Sequence, residues 1–102
     1  MDALTERLQI PQLSKLCKKY GVVRLSVFGS ALREDFSEKS DLDFVVEFGP
    51  SNGFTASRQF FGFAEELEAL YGRKVDLVER KGIKNPYFKE SLEEQEVSVF
   101  AA

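Results

Sequence analysis

Three short segments rich in β-branched and aromatic residues constrain the fold of this chain most strongly. They are Val22–Phe28, Asp41–Phe48 and Lys74–Glu79, and each has the length and composition of a β-strand. Segments with helical periodicity precede, separate and follow them. This alternation predicts an α/β or α+β domain, with a small mixed sheet of three to four strands flanked by helices.

The helix boundaries are marked by residues with known local preferences. Pro11 and Pro86 suit the first turn of a helix, Asn85 suits an N-cap, and Gly72 suits a C-terminal stop. Residues 49–53, GPSNG, are the strongest turn signal. The other predicted elements are helices over residues 11–20, 57–71 and 86–95, a short helix from Ala31, a polar loop over Asp35–Ser40, and a loose or strand-like tail from Val97.

Length and composition limit the classes of function. The 102 residues are expected to form one domain over residues 1–102, with a single core. Histidine is absent and Cys17 is the one cysteine, which excludes imidazole-based catalysis, most zinc sites and an internal disulfide framework. Cys17 lies on the apolar side of a predicted helix and is expected in the core.

The charge balance and the apolar segments limit the partners. The net charge of −3 and the pI near 5.0 argue against duplex nucleic acid as the main partner, because such proteins carry a basic surface. No apolar run reaches the ~20 residues of a membrane span, and the first residues do not resemble a signal peptide. We therefore expect a cytoplasmic protein that does not enter the membrane.

Three aspartates are the first candidate site residues. Asp41 and Asp43 lie two apart on a predicted strand, so their side chains share one face. Asp76 can join them if its strand is a neighbour. Carboxylates without histidine or thiolate favour a hard cation such as Mg²⁺, and such a cluster can hold two ions. The simpler interpretation, which a short DxD pattern alone would favour, is that these acids form salt bridges or caps.

Gly29 and Ser30 are the second candidate feature. They directly follow a predicted strand and precede a predicted helical turn. Glycine allows the backbone to approach a phosphate closely, and exposed N–H groups with a serine hydroxyl can bind phosphate oxygens. On its own, such a pair is several times more often an ordinary turn than a phosphate-binding site.

The combination of these features resembles a known family signature. Gly29-Ser30, ten intervening residues, Asp41 and Asp43 are similar to the GSx10DxD motif of the DNA-polymerase-β-like nucleotidyltransferases, whose third carboxylate sits in a strand similar to VDLV, here with Asp76. The resemblance implies the polymerase-β-like nucleotidyltransferase fold. It also implies that the three aspartates hold two Mg²⁺ ions and that Gly29 and Ser30 bind the phosphates of ATP or another NTP.

Two further segments extend the resemblance to roughly residues 20–90. Arg33 aligns with the arginine of the family pattern GSxARG, but Glu34 replaces the glycine. Arg33 is expected either to steady the triphosphate or to form a surface salt bridge with Asp35 or Glu38. The residues Lys84 to Phe88, KNPYF, resemble a stretch of minimal nucleotidyltransferases that act as antitoxins of HEPN-domain RNase toxins. Tyr87 is expected to pack, and Glu90–Glu96 to form a solvated helix face.

The resemblance implies a reaction as well as a fold. A hydroxyl would attack the α-phosphate of an NTP and release pyrophosphate, with Asp76 as general base. The transferred group would be AMP, and the acceptor a tyrosine of a HEPN-type toxin, while a small-molecule acceptor stays open. No second domain is evident for an acceptor pocket, so we expect a partner or a second copy to complete it. A homodimer and a hetero-oligomer both stay open.

A non-enzymatic alternative also stays open. The chain could neutralise a partner protein by contact, with a vestigial nucleotide site. The three intact carboxylates favour the enzyme, whereas Glu34 favours the binding module. The base of the NTP and the identity of the acceptor are not determined by the sequence.

Overall fold

The computed structural model describes residues 7–29, 41–50 and 53–102. In these ranges the chain forms four strands and three α-helices, and a 3₁₀ turn over Arg80–Gly82 follows the third strand. The helices are α1 (Pro11–Lys19), α2 (Ala56–Tyr71) and α3 (Pro86–Gln95); the strands are β1 (Val22–Phe28), β2 (Leu42–Phe48), β3 (Val75–Glu79) and β4 (Val97–Ala101).

The four strands form one mixed sheet in the order β3-β2-β1-β4. β1 pairs antiparallel with both β2 and β4, whereas β2 and β3 are parallel. Parallel neighbours need a crossover connection, and here α2 supplies it. The predicted small mixed sheet flanked by helices is confirmed.

One face of the sheet packs against α1 and α2 and contains the main core. Phe44 of β2 and Phe63 of α2 are both fully buried there, together with Leu25 and Leu67. Tyr20 joins the two helices, because its ring stacks on Phe54 and its hydroxyl donates to Glu66 of α2. Burial, followed by the hydrogen bond to Glu66, raises the pKa of Tyr20 to about 12.

The opposite face of the sheet is covered in part by α3. Leu92 of α3 is buried, as are Ser26 and Val45, which alternate with the core-facing residues of β1 and β2. At the end of α3, the carboxylate of Glu96 is only 4% exposed and contacts Arg80 and, at 3.2 Å, Nη2 of Arg24. This network fixes the C-terminal end of α3 to β1 and to the 3₁₀ turn.

Most predicted elements are confirmed, with differences at two strand ends and two side chains. The second strand begins at Leu42 and the third at Val75, each one residue later than predicted. Tyr87 does not pack but is 81% exposed, because it projects from the first turn of α3. Glu96 is not on a solvated face, because two arginines hold it in the interior.

Other predictions at the ends of elements are confirmed or lie outside the described residues. Cys17 is fully buried, and burial raises the pKa of its thiol to about 12. Gly72 caps α2 with a φ of 66°, and the Asn85 side chain accepts from the N–H groups of Tyr87 and Phe88. The short helix from Ala31 and the loop before Ser40 lie outside these ranges. In the described part of the chain, no helix combines the length and apolar character needed to cross a membrane.

We predict that Glu96→Gln destabilises the protein in a pH-dependent way. Burial raises the pKa of Glu96, but Arg80, Ser26 and Arg24 outweigh it, so the folded-state pKa lies below the ordinary value of 4.5. The carboxylate therefore stabilises the fold above pH 4.5, and this contribution is lost as the pH falls through the lowered pKa. At neutral pH we expect a loss on the order of 3 kcal/mol, since two arginines lose a buried counter-charge.

Urea unfolding of wild type and variant across this pH range checks the prediction. The difference between the two free energies of unfolding should shrink as the pH drops below 4.5. A difference that is independent of pH would contradict a charged Glu96 in the folded state.

Candidate active site

The start of β2 carries two of the three predicted acids. Asp43 is the second residue of the strand and is half-buried, whereas Asp41 directly precedes the strand and is exposed. Phe44 and Val46 alternate with Asp43 and Val45 and face the core under α1 and α2. The core-facing residues therefore direct the Asp43 side chain to the opposite face of the sheet.

The pairing of β2 with β3 brings the third acid beside the second. Asp43 and Asp76 are direct partners in the parallel register, and side chains at partner positions share one face. Val75 and Leu77, on either side of Asp76, are buried in the core, whereas Asp76 itself is exposed. The predicted adjacency of the third aspartate is thus present in the strand register.

Gly29 lies against the carboxylate of Asp43. It follows Phe28, which is the antiparallel partner of Asp43 in β1. A Cβ atom built on Gly29 would lie 2.6 Å from Oδ2 of Asp43, and the φ of Gly29 is +68°. Both the space and the backbone conformation therefore require glycine here. The other two predicted phosphate-binding residues, Ser30 and Arg33, lie outside the described residues.

The donors at this site fit a hard divalent cation. Asp43 and Asp76 offer carboxylate oxygens on neighbouring strands, and Gly29 has no side chain that would collide with the carboxylate of Asp43. In the described ranges, however, no three His, Cys, Asp or Glu side chains converge into a ready metal-binding group. The register thus brings two carboxylates together, and it does not draw Asp41 into a three-ligand cluster with them. Mg²⁺ commonly uses only one or two carboxylates plus substrate phosphates.

Aromatic side chains border the carboxylates on the β1 side. The rings of Phe28 and Phe88 meet edge to face at 6.3 Å between centroids, and Phe88 is 42% exposed. Along the same face, beyond Val45 and Val78, Glu47 and Arg80 help to line a pocket of about 320 Å³. No local sequence pattern predicts the Phe28–Phe88 contact, because the two residues are distant in the chain.

Acidic side chains beside a close-approach glycine, on the open face of a mixed sheet, define a site suited to phosphate transfer with a divalent ion. The family model described as the nucleotidyltransferase domain matches residues 11–98. The chain belongs to this nucleotidyltransferase family, and it is a nucleotidyltransferase by that membership.

Two curated relatives show similarity over most of the chain. A protein of Methanocaldococcus jannaschii, which carries the provisional name of a protein adenylyltransferase, is 39% identical over 101 residues, covering 97% of this chain and 100% of the relative. The protein adenylyltransferase MntA of Thermococcus cleftensis is 36% identical over 80 residues, covering 78% of each chain.

Solved structures share the fold. A candidate minimal nucleotidyltransferase superimposes with a TM-score of 0.72 at 34% identity, covering 95% of each chain. A complex of a tri-AMPylated Shewanella oneidensis HEPN toxin with its MNT antitoxin gives a TM-score of 0.64 at 15% identity, covering 96% of this chain and 73% of the other. At that identity the second likeness concerns the fold alone.

We predict that Gly29→Ala abolishes nucleotide binding, whereas Gly72→Ala does not. Both glycines have a positive φ, +68° and +66°, so alanine costs each about 1 kcal/mol of backbone strain. At Gly72 nothing lies within 4 Å of the added Cβ, but at Gly29 it collides with Oδ2 of Asp43. Isothermal titration with a non-hydrolysable ATP analogue should show at least a ~100-fold weaker Kd for the Gly29 variant only.

Thermal unfolding of both variants provides the control. Similar melting temperatures together with a selective loss of binding support a local clash at Asp43. Equal binding by the two variants would show that Gly29 has no role at the site.

Proposed function

We propose that this chain is a Mg²⁺-dependent protein adenylyltransferase, which transfers AMP from ATP to a hydroxyl of a partner protein. The similarity to two relatives that carry this name supports the nature of the transferred group and the class of acceptor. The register of Asp43 opposite Asp76, with Gly29 against Asp43, is the observation on which the proposal depends most.

The order of the strands suits an in-line displacement. β2 lies between β1 and β3, so Asp43 stands between Gly29 at the end of β1 and Asp76 on β3. Adjacent strands are ~4.8 Å apart. If Gly29 and Ser30 hold the β- and γ-phosphates, the leaving pyrophosphate lies on the β1 side of the α-phosphate. The acceptor then approaches from the β3 side, as an in-line attack requires.

The proposed metal ligands are Asp43 and Asp76, with Asp41 as a further ligand that turns toward them. Mg²⁺ at these carboxylates would neutralise charge on the triphosphate and favour deprotonation of the acceptor hydroxyl. Arg33 is proposed to contact the triphosphate.

In the proposed reaction, the protein positions the phosphates and accepts one proton. Gly29 lets the backbone approach the phosphates, and Asp76 accepts the proton of the acceptor hydroxyl. The hydroxyl oxygen bonds to the α-phosphorus, the bond from that phosphorus to the bridging oxygen breaks, and pyrophosphate leaves with the electron pair. The products are an adenylylated protein and pyrophosphate.

We further propose that the acceptor is a tyrosine of a HEPN-type toxin and that both proteins are cytoplasmic. The support is the shared fold with an MNT antitoxin bound to an AMPylated HEPN toxin, together with the KNPYF segment that begins at Lys84. A chain that only masks its partner by contact is the competing function.

We predict that Asp43→Asn combined with Asp41→Asn abolishes transfer of label from α-labelled ATP to a co-incubated HEPN protein. Asp76→Asn should lower the rate by at least ~1000-fold, because a metal ligand and a general base are lost together. Glu94→Gln is the matched control, since it makes the same chemical change at an exposed position on α3. The assay is gel autoradiography with Mg²⁺, and EDTA should stop the reaction.

Partner binding by the same variants separates the two functions. Loss of label with retained binding in the double variant supports the enzyme. If the wild-type protein transfers no label with any NTP or metal, and if wild type and the double variant both bind the HEPN protein, the chain is a masking module instead.

A further inference from the structure

β3 lies at the edge of the sheet, directly beside the carboxylate pair. Its single neighbour among the described strands is β2. The edge of β3 thus runs past Asp76, on the side of the site from which the acceptor is expected. An exposed strand edge presents unpaired backbone groups, to which an extended peptide can add as a further strand.

The direction of the backbone groups of β3 follows from its pairing. Leu42 N donates to Lys74 O at 3.0 Å, so Lys74 and alternate residues after it direct their N–H and C=O groups toward β2. The N–H and C=O groups of the intervening residues point to the outer edge of the sheet. These residues are Val75, Leu77 and Glu79. The N–H of Val75 donates to Oε2 of Glu68 at 2.9 Å, which leaves the outer groups of Leu77 and Glu79 facing the edge.

The edge is flanked by positive charge. Residues 73–84 contain five basic and two acidic residues, although the whole chain has a net charge of −3. One of the five, Arg80, pairs with Glu47 and Glu96, which leaves four basic residues for the edge. Lys74 precedes the strand and is exposed, while Lys81 and Lys84 follow it and are also exposed. Glu79 contacts Lys81 at 3.3 Å. This charge distribution is complementary to an acidic segment.

We propose that an extended, acidic segment of the acceptor protein adds to the outer edge of β3 and presents its hydroxyl side chain opposite Asp76. This inference rests on the proposed transferase function and identifies how the acceptor is recognised. The inference does not depend on which protein supplies the acidic segment.

The geometry of strand addition gives the acceptor the required position. Residues paired across neighbouring strands have Cβ atoms ~5 Å apart and project to the same face. The residue opposite Asp76 would therefore project to the face that carries Asp43. A tyrosine there lies within reach of a phosphate held between the two aspartates, on the side opposite Gly29.

Amide hydrogen exchange tests the inference directly. The probe is a synthetic peptide with one tyrosine flanked by glutamates and β-branched residues, added with Mg²⁺ and a non-hydrolysable ATP analogue. The amides of Leu77 and Glu79 should become at least ~10-fold more protected. The amides of Asp76 and Val78 already face β2 and serve as internal controls.

A proline variant tests the same edge through transfer of AMP to this peptide. Glu79 has a φ of −84° and a ψ of 125°, which proline can adopt, and proline is tolerated at the outer side of an edge strand. Glu79→Pro and Glu79→Ala lose the same carboxylate, but the alanine variant keeps the N–H. We expect Glu79→Pro to transfer label at least ~10-fold more slowly than Glu79→Ala.

The peptide itself supplies a second comparison. Methylation of its backbone nitrogens, or replacement of its glutamates by lysines, should each reduce labelling at least ~10-fold.

The outcomes separate this inference from the function. If the peptide is labelled but the amides of Leu77 and Glu79 are not protected, the edge of β3 is not the acceptor site. Equal rates of label transfer by the two Glu79 variants would lead to the same conclusion. Protection that appears without peptide as the protein concentration rises also overturns it, because the edge then pairs with a second copy. Protection by the peptide, with no label from ATP on either the peptide or a co-incubated HEPN protein, supports the edge as a binding site and overturns the transferase function.

Discussion

The parallel pairing of β2 with β3 is the constraint on which the site depends. A shift of one residue in a strand turns every side chain to the other face, so Asp76 would enter the core and Leu77 would replace it beside Asp43. The bond from Leu42 N to Lys74 O and the bond from Val75 N to Glu68 mark the start of β3. Burial of Val75 and Leu77 against α2 opposes such a shift. The same apolar packing that stabilises the sheet therefore determines which carboxylates meet.

Gly29 adds a second constraint, which concerns space. A β-strand that ends in a positive φ must turn away from its ladder, and at Gly29 this turn occurs directly against Asp43. The missing side chain leaves room for the half-buried carboxylate of Asp43, whose Oδ2 would lie 2.6 Å from a Cβ atom on Gly29. A cation bound between the carboxylates of Asp43 and Asp76 would be attracted to both of them.

Local signals explain which parts of this fold could be predicted from the sequence. The cap at Asn85, the stop at Gly72 and the strand composition of Val22–Phe28 act over a few residues, and the structure confirms each of them. The adjacency of Asp43 and Asp76 depended on one further condition, that their strands are neighbours.

The predictions that were wrong concern long-range contacts. Glu96 looked like part of a solvated acidic run, but its partners Arg24 and Arg80 come from β1 and from the turn after β3. Tyr87 was expected to pack. Instead, Phe88 contacts Phe28, and Tyr87, one residue earlier on α3, projects into solvent. Helical or strand periodicity does not specify which distant element will supply a counter-charge or a ring.

The pairing of β1 with β4 has a consequence for how the chain folds. Arg24 pairs with Ala101, so the antiparallel ladder between β1 and the edge strand β4 joins residues that are far apart in the chain. Such non-local contacts raise the contact order, and the entropy of closing the loop must be overcome before the pairing stabilises the fold. During translation, the edge of β1 that pairs with β4 therefore stays open while the described elements β2, α2, β3 and α3 are made. In that interval the nascent chain is most exposed to edge-to-edge aggregation and to capture by chaperones.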